Sequence, residues 1–315
     1  MKNLVVLTGP TAVGKTSLSI NLAKQLNGEI ISADSMQVYK GMDIGTAKIT
    51  KAEMDGVTHH LIDIIEPTED FHVARFKELV EEAIDKIYAK GKLPIICGGT
   101  GFYIQAILYD IDFSGNEIDK TYREKLECFA DAHGNEALHQ KLLEVDEESA
   151  LKIPAANRKR VIRALEYFHQ TGEKFSEYNA TQREKKSPYN FAYFVLNDDR
   201  DLLYNRIDKR VDIMMEQGLL EEVKGLIDAG LKRGMTAMDG IGYKEILDYY
   251  EGNLSLEEAV ELIKKKSRNY AKRQLTWFRR EKDVVWVDKT IYKSTEDQLE
   301  FIKETLKKKG IIESV

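Results

Sequence analysis

The sequence contains little cysteine and no long apolar run. Its two cysteines, Cys97 and Cys128, are too few for a disulfide framework or a cysteine-rich zinc site. Both stand in patterns typical of the interior of an element, so we expect them to serve packing. No apolar stretch approaches the ~20 residues of a membrane-spanning helix, and the first residues lead directly into a glycine loop without a signal-peptide pattern. These absences argue against a membrane or secreted protein, and we expect a cytoplasmic one.

The length and the charge of the chain set further bounds. Its 315 residues correspond to about two domains at the usual ~150 residues each. The 47 basic and 53 acidic residues give a net charge of −6, which would disfavour a polyanionic partner if it were spread evenly. The charge is clustered, so its distribution says more about partners than its sum.

The first hundred residues alternate short apolar runs with amphipathic helical patterns, an order typical of a parallel α/β sheet. Helices are predicted after Gly14 and over residues 72–90, and long helices over residues 198–282. The predicted strands cover residues 4–8, 29–33, 93–97, 191–196 and 284–287.

The middle of the chain has a different pattern. From about residue 111 to 188 no convincing strand is found, and helical periodicity dominates at residues 119–133, 136–144 and 157–170. The polar stretch 179–188 is the best candidate for a return hinge. We therefore predict a catalytic core of residues 1–112 and 189–315 with an inserted all-helical domain of residues 113–188. Neither internal repeats nor low-complexity linkers are found.

A phosphate-binding pattern, GxxxxGK[ST], stands between the first strand and the first helix. Glycines let backbone amides turn toward a phosphate, the lysine supplies a charge, and the threonine hydroxyl is suited to bind Mg²⁺. The loop leaves open whether the phosphate is transferred or a group attached to it. The residues predicted to bind a diphosphate or triphosphate are Gly9, Pro10, Thr11, Ala12, Val13, Gly14, Lys15 and Thr16, with Thr16 as the metal ligand.

Asp34 follows the second predicted strand. Ligands of open parallel sheets bind beyond the carboxyl ends of the strands, so Asp34 is a candidate general base for an acceptor that must lose a proton. Capping of the following turn, together with Ser35, is the alternative role. The neighbouring Gln37 and Tyr39 have side chains suited to contact a base, or are ordinary surface residues.

A second glycine turn, Gly98-Gly-Thr100-Gly101, follows the third main strand. It lacks the acidic residue of a Walker B strand. Thr100 is suited either to bind substrate or to cap the next helix. Position alone does not decide between these roles.

Positive charge is concentrated in two windows. Residues 152–163 contain five basic residues and no acid, and residues 264–282 contain nine basic residues and one acid, interleaved with aromatic residues. Cations neutralise nucleic-acid phosphates and aromatic rings stack on unpaired bases, so these windows suggest an RNA partner. A solvated helix face above a buried aromatic stripe is the alternative, and burial is the more frequent outcome for Trp277 and Phe278.

An arginine pair and a histidine pair are further candidates for ligand binding. Arg206 and Arg210 stand one helical turn apart, so both can face a leaving diphosphate; surface salt bridges are the alternative. His59 and His60 do not indicate a metal site, because adjacent side chains diverge on any regular element.

In eight segments the chain resembles the tRNA dimethylallyltransferase family, also called tRNA isopentenyltransferases. This resemblance implies an α/β fold with a P-loop NTPase-like core and a helical insertion that binds the anticodon stem-loop. It also implies transfer of a dimethylallyl group from dimethylallyl diphosphate to N6 of the adenosine 3′ of the anticodon, with Mg²⁺ as cofactor and a monomeric enzyme. The segments are residues 9–16, 34–39, 41–48, 59–63, 98–101, 163–166, 241–245 and 272–279.

The resemblance also implies roles for individual residues. Asp34 accepts the proton of the adenine amine with Thr100 nearby, and Lys15 and Arg206 surround the diphosphate; these four are the catalytic residues. The residues it implies for tRNA binding are Asp34, Ser35, Met36, Gln37, Thr100, Arg123, Lys159, Arg160, Val161, Ile162, Arg163, Lys272, Arg273, Gln274, Trp277 and Arg279.

Three other functions compete with this interpretation. A small-molecule P-loop kinase also uses an aspartate at a strand end, but it consumes ATP and has no need of a basic insertion. An adenylate isopentenyltransferase would act on a free nucleotide without tRNA. A non-catalytic RNA-binding protein would keep its function when Asp34 is removed.

Overall fold

The computed structural model describes residues 1–113 and 120–313. Within them lies one six-stranded sheet with the strand order β3-β2-β4-β1-β5-β6, and every pair of neighbouring strands is parallel. The predicted α/β class with a parallel sheet is confirmed. Its strands are β1 (Lys2–Thr8), β2 (Gly28–Ala33), β3 (His59–His60), β4 (Leu93–Gly98), β5 (Tyr189–Asn197) and β6 (Val284–Asp288).

All five predicted strands are present, and β3 is the one that prediction missed. It pairs only two residues with β2, and a histidine pair carries no apolar run or alternation from which a strand can be inferred. The helices are α1 (Lys15–Gln25), α2 (Val73–Ala89), α3 (Gly101–Leu108), α4 (Lys120–His133), α5 (Asn135–Val145), α6 (Glu147–Lys152), α7 (Arg158–Thr171), α8 (Phe175–Glu184), α9 (Arg200–Glu216), α10 (Leu219–Asp228), α11 (Tyr243–Tyr250), α12 (Leu256–Phe278) and α13 (Thr295–Lys308).

The sheet register brings three strand ends to one edge. Thr8 of β1 pairs with Gly98 of β4, and Ala33 of β2 pairs with the same glycine. The interior of β1 is fully buried, as expected for a central parallel strand covered on both faces. The residues that follow β1, β2 and β4 therefore meet at the carboxyl edge of the sheet.

The chain divides into two compact units, which we describe separately. The first comprises Met1–Leu108 and Pro188–Val315, and the second comprises Tyr109–Ser187. The second unit contains helices and no strand among its described residues. Its core is formed by apolar residues of α4, α5 and α7, among them Leu138, Leu142 and Val161, each with 0% exposure.

The predicted return hinge is shorter than expected, because α8 continues to Glu184. Aromatic contacts hold this helix: the rings of Phe175 and Tyr178 lie 5.7 and 4.8 Å from that of Tyr167. Ser176 adds two bonds to the buried carboxylate of Asp146. Tertiary packing thus keeps a polar sequence helical.

The cysteines and the apolar character of the helices can be compared with what composition suggested. Cys97 is half-buried in β4, but Cys128 is exposed on α4, so the expected packing role is wrong for Cys128; it stands on the solvent side of an amphipathic helix. Among the described residues, no helix combines the length and the apolar character needed to span a membrane.

Candidate active site

The phosphate loop joins β1 to α1 and takes a turn that its glycines permit. Gly9 has a φ of 152° and Gly14 a φ of 97°, values that side chains with a Cβ rarely adopt. A Cβ on Gly9 would lie 2.7 Å from the carbonyl oxygen of Leu196, so the loop packs closely against β5. The first amides of α1 have no partner within the helix and are available to an anion.

Lys15 is the first residue of α1, and its ammonium folds back over the phosphate loop. Its Nζ donates to the carbonyl oxygens of Gly9 at 3.0 Å and Pro10 at 2.8 Å. Burial lowers the pKa of Lys15 to about 8, and the positive charge of Arg210 acts in the same direction. Neutral carbonyls are weaker partners than phosphate oxygens for an ammonium, so Lys15 is held ready for an anion.

Thr16 has a hydroxyl that is free to bind a ligand. The residue is exposed, and its hydroxyl makes no hydrogen bond to the residues that the structure describes. Mg²⁺ bound with phosphate groups keeps several waters and takes few protein ligands, and a single hydroxyl beside the phosphate loop fits this pattern. Within residues 1–113 and 120–313, no cluster of three or more acidic, histidine or cysteine side chains is suited to hold a metal by itself.

The two adjacent histidines have structural partners. His59 Nδ1 lies 2.9 Å from the carbonyl oxygen of Val57, and His60 Nε2 lies 2.8 Å from the buried carboxylate of Glu29. The two side chains thus have separate protein partners.

Asp34 combines the two roles that its position suggested. Its Oδ1 accepts hydrogen bonds from the amides of Met36 (2.8 Å) and Gln37 (3.3 Å), which is the turn-capping role. No residue in the described part of the chain donates to Oδ2. Because Asp34 also lines a cavity, one carboxylate oxygen fixes the side chain and the other is left for chemistry.

Thr100 lies at the start of α3 and reaches a tyrosine of α12. Its carbonyl oxygen accepts from the amides of Tyr103 and Ile104, as a capping residue does, and its side chain lies near the hydroxyl of Tyr270. Burial raises the pKa of Tyr270 to about 12, and the negative charge of Asp34 raises it too. The phenol therefore keeps its proton beside Thr100 and Asp34.

A cavity of about 370 Å³ is lined by Asp34, Tyr270 and residues of two helices. One face of α9 lines it at i, i+3, i+4 and i+7, and one face of α12 lines it at i, i+4, i+7 and i+10, as helical periodicity requires. The polar end carries Thr11 and Asp34, and much of the remaining wall is apolar. The helix residues are Ile207, Arg210, Val211, Met214, Ile263, Ser267, Tyr270 and Arg273.

Gly45, Thr46 and Ala47 also line the cavity and belong to residues 41–48, which we call the wall loop. Ser35, Met36 and residues 236 and 239–243 complete the wall. Glu222 of α10 holds the wall loop: its carboxylate accepts from the amides of Asp43, Ile44 and Gly45 at 2.8, 2.7 and 3.1 Å. The same carboxylate accepts from the hydroxyl of the buried Tyr243 at 2.6 Å. A Cβ on Gly45 would lie 2.6 Å from the Tyr243 ring, so the loop needs glycine there.

Gln274 of α12 joins the phosphate loop to the second glycine turn. Its Oε1 accepts from the amide of Thr11 at 2.9 Å, and its Nε2 donates to the carbonyl oxygen of Gly99 at 2.9 Å. The residue is 6% exposed. A Cβ on Gly99 would overlap the Gln274 amide, and a Cβ on Gly101 would overlap the Trp277 ring, which explains the glycines of this turn.

The bridge by Gln274 predicts a loss of stability on substitution. In Gln274→Ala the amide of Thr11 and the carbonyl of Gly99 lose their partner, so we expect the free energy of unfolding to fall by ~1–3 kcal/mol. Urea denaturation measures this. Lys272→Ala, which removes an exposed side chain two residues away, is the control with no expected change; equal stability of both variants would contradict the bridging role.

The two arginines of α9 have different surroundings. Arg206 donates from Nη2 to Asp198 at 2.5 Å, and its Nε is buried with no partner among the described residues. Arg210 lines the cavity and is exposed. Arg206 therefore pairs with a nearby acid through Nη2 while its Nε keeps no described partner, and Arg210 faces the cavity.

The residues of α12 that were assigned to RNA differ in exposure. Lys272, Arg273 and Arg279 are exposed, and the guanidinium of Arg273 lies 5.8 Å from the centre of the Tyr270 ring. Trp277 is half-buried and packs edge-on to Phe102 at 6.3 Å. Together with the buried Gln274, the stretch thus presents cations outward and uses its other residues for packing.

The side chains of residues 35–37 also contact the cavity or the wall loop. Ser35 and Met36 line the cavity. The Gln37 side chain donates to the carbonyl oxygens of Thr46 and Ala47, at 3.2 and 3.4 Å, in the wall loop.

The helical unit likewise separates its assigned residues. Arg123 donates from Nε and Nη2, each at 2.7 Å, to the fully buried carboxylate of Glu166, and Arg163 lies 3.9 Å from the same group. Lys159 and Arg160 are exposed, whereas Val161 and Ile162 have side chains buried in the core of the unit. Only the charged members of this stretch offer side chains to a partner.

Several site residues were not singled out from the sequence. Tyr270 was only one of the aromatic residues of the second basic window, and Glu222 carried no local signal. The single cue for Tyr270 was its helical spacing from Arg273, which places both on one side of α12.

Comparison with known proteins shows which family this chain resembles along its length. A family model described as IPP transferase matches residues 37–281. The tRNA dimethylallyltransferase of Lachnoclostridium phytofermentans is 56% identical over 312 residues, which span 99% of this chain and 100% of that protein. One from Bacillus cereus is 55% identical over 309 residues, spanning 98% of this chain and 97% of that protein.

Solved structures are similar over nearly the same span. The full-length tRNA isopentenylpyrophosphate transferase from Bacillus halodurans is 47% identical with a TM-score of 0.74, covering 98% of each chain. A eukaryotic dimethylallyltransferase acting on tRNA is 31% identical with a TM-score of 0.77, covering 91% of this chain and 74% of that one. The resemblance inferred from the eight segments is confirmed, and the chain belongs to the tRNA dimethylallyltransferase, or IPP transferase, family.

Proposed function

We propose that this protein transfers a dimethylallyl group from dimethylallyl diphosphate to N6 of the adenosine 3′ of the anticodon in tRNA. The products are N6-(dimethylallyl)adenosine and diphosphate. One observation carries the proposal: Asp34, whose Oδ2 is free, and Thr11 of the phosphate loop line the same cavity as the apolar side chains of Ile207, Val211 and Ile263. A five-carbon apolar group attached to a diphosphate needs these two environments side by side.

In the proposed transfer, each side chain of the site has one role. The adenine amine is a weak nucleophile because its lone pair is delocalised, so Asp34 Oδ2 accepts its proton as N6 bonds to the allylic carbon. The bond between that carbon and the diphosphate oxygen breaks, and its electron pair leaves with the diphosphate. Lys15, Arg206 and the amides at the start of α1 stabilise the departing charge. Thr100 and Tyr270 lie beside the base and orient the amine.

Thr16 would hold Mg²⁺ together with the diphosphate. The bound ion supplies further neutralisation of the diphosphate charge. The other residues contribute directly: Lys15 binds a phosphate oxygen, and the apolar side chains of the cavity exclude water from the allylic carbon.

The tRNA contacts follow from exposure. We assign phosphate contacts to Lys159, Arg160, Lys272, Arg273 and Arg279, whose side chains are exposed, and we assign the helical unit to the anticodon stem-loop. The target base must leave its stack to reach a cavity at a strand end. We place the enzyme in the cytoplasm as a monomer, and light scattering of the purified protein tests the monomer.

The test is direct. The protein is incubated with Mg²⁺, dimethylallyl diphosphate and unmodified tRNA that has adenosine beside the anticodon, and the digested RNA is analysed by mass spectrometry. We expect N6-(dimethylallyl)adenosine. AMP in place of tRNA should give no product, and ATP in place of the prenyl donor should leave tRNA unchanged.

The alternatives give distinct results in the same assay. Prenylated AMP without modified tRNA would replace the proposal by an adenylate isopentenyltransferase. Phosphate transfer from ATP to a small acceptor, with unchanged tRNA, would replace it by a kinase. Binding of tRNA without any product would leave an RNA-binding protein.

The pKa of Lys15 predicts how donor affinity depends on pH. Lys15 is protonated below about pH 8 and neutral above it, and only the ammonium attracts the diphosphate. We therefore expect the dissociation constant of dimethylallyl diphosphate to be flat below pH 8 and to rise toward about tenfold per pH unit above it. Lys15→Arg, which stays charged, should bind more weakly but without this rise. A parallel rise in both proteins would contradict the assignment to Lys15.

A further inference from the structure

Lys289 occupies a fixed position at the carboxyl edge of the sheet. It directly follows β6, and its amide donates to the carbonyl oxygen of Asn197 at 3.0 Å, which continues the pairing of β5 with β6. The turn after it is held by Asp288, whose Oδ1 accepts from the amide and hydroxyl of Thr290 at 2.8 and 2.7 Å. The backbone of Lys289 is therefore held rigidly on both sides.

The side chain of Lys289 reaches the phosphate loop. Its Nζ donates to the carbonyl oxygen of Val13 at 3.1 Å, and a Cβ on Gly14 would lie 3.3 Å from the same atom. Lys15 is bonded at the other end of this loop, to Gly9 and Pro10. Two lysines thus contact carbonyls toward opposite ends of one loop.

The charges around the loop are not balanced. Asp198, whose side chain is 8% exposed, lies 2.5 Å from Arg206 and 3.9 Å from Lys289. One carboxylate therefore serves two cations, and Lys15 adds a third near the loop. Burial lowers the pKa of Lys289, which is the cost of holding an ammonium against a neutral carbonyl.

A nitrogen of Arg206 gives a second, independent indication of an anion-binding site. Arg206 Nε is buried and has no partner among the described residues. Buried donors without a partner are rare in folded proteins, and each calls for an explanation such as a bound ion. Arg206 shares Asp198 with Lys289, so this nitrogen belongs to the same group of cations as Lys289.

We propose that Lys289 is a further ligand of the diphosphate, binding it from the Val13–Gly14 end of the loop while Lys15 binds from the Gly9–Pro10 end. Asp198 acts as a positioning residue that keeps Lys289 and Arg206 together against their mutual repulsion. The inference rests on the proposed function only in taking the anion at this loop to be a diphosphate. A purely structural brace of the loop is the opposing explanation.

Calorimetric titration of the full chain with pyrophosphate in the presence of Mg²⁺ tests the proposal. Because charge-assisted hydrogen bonds to phosphate are strong, Lys289→Gln should raise the dissociation constant by about 10- to 100-fold. Lys293→Gln, which neutralises an exposed lysine four residues away, should change it less than about twofold. Wild-type pyrophosphate affinity of Lys289→Gln would overturn the proposal, and a lowered melting temperature together with that affinity would favour the brace.

A second measurement avoids substitution altogether, in case Lys289→Gln does not fold. The wild-type protein is acetylated sparingly with and without Mg²⁺ and pyrophosphate, and the lysines are quantified by mass spectrometry. Lys289, whose side chain is 23% exposed, should be protected several-fold, while Lys293 should not. Equal labelling of Lys289 in both samples would overturn the proposal. Neither measurement involves tRNA, so a protein that binds pyrophosphate through Lys289 but modifies no tRNA would overturn the proposed function alone.

Discussion

Asp34→Asn is expected to lower kcat for tRNA prenylation by ~10²–10⁴-fold, the range that a positioned general base contributes. Asparagine retains an Oδ1 that accepts from the amides of Met36 and Gln37, so the turn survives. The free carboxylate oxygen becomes an amide that cannot accept the proton of the adenine amine. Single-turnover kinetics on unmodified tRNA measure the loss, and filter binding should show nearly unchanged tRNA affinity.

Two further variants make this result specific. Asp34→Ala also removes the turn-capping acceptor, so it should add a loss of stability of ~0.5–2 kcal/mol to the same loss of rate. Asp239→Asn neutralises another exposed carboxylate that lines the cavity, and it should lower kcat by less than about tenfold because only Asp34 is assigned the proton transfer. If Asp34→Asn and Asp239→Asn have equal rates, the general-base role is wrong and only the charge of the cavity matters.

Lys15→Ala is expected to have the second largest effect, a fall in kcat/KM for dimethylallyl diphosphate of roughly 10²–10³-fold, as for removal of one group that stabilises developing charge. The melting temperature should not fall, because the ammonium is bonded only to two loop carbonyls and its burial is unfavourable. Steady-state kinetics at saturating tRNA measure the effect.

The control for Lys15 lies on the same helix. Lys24 of α1 is exposed and pairs with Asp55, so Lys24→Ala removes the same charge from the same element, and kcat/KM should stay within about twofold of wild type. A similar loss in both variants would mean that the net charge of the protein, and no specific bond to the diphosphate, governs donor binding.

The phosphate loop and Asp34 were predictable because their signals are local. A glycine pattern between an apolar strand and an amphipathic helix specifies backbone geometry within eight consecutive residues, 9–16. A residue just after a parallel strand must lie at the carboxyl edge of the sheet, and this rule located Asp34 and Thr100. Neither rule depends on distant parts of the chain.

The stretches assigned to RNA were less predictable because composition does not say which side of a helix faces inward. Gln274 was grouped with Lys272 and Arg273, yet it is 6% exposed and bonds two loops of the core. Val161 and Ile162 stand beside Lys159 and Arg160, yet they are buried in the core of the helical unit. Burial on a helix is decided by what packs against it.

The sequence alone determined the α/β class, and it predicted the helical insertion, the phosphate loop and an aspartate at the second strand end, since each depends on periodicity or spacing over a few residues. The tertiary structure alone decided that Glu222 holds the wall loop, that Tyr270 meets Thr100, and that Lys289 reaches Val13. These partners are 170 to 276 residues apart. Their contact arises only when parallel strands align their carboxyl ends at one edge, and no local pattern records which distant side chains then meet.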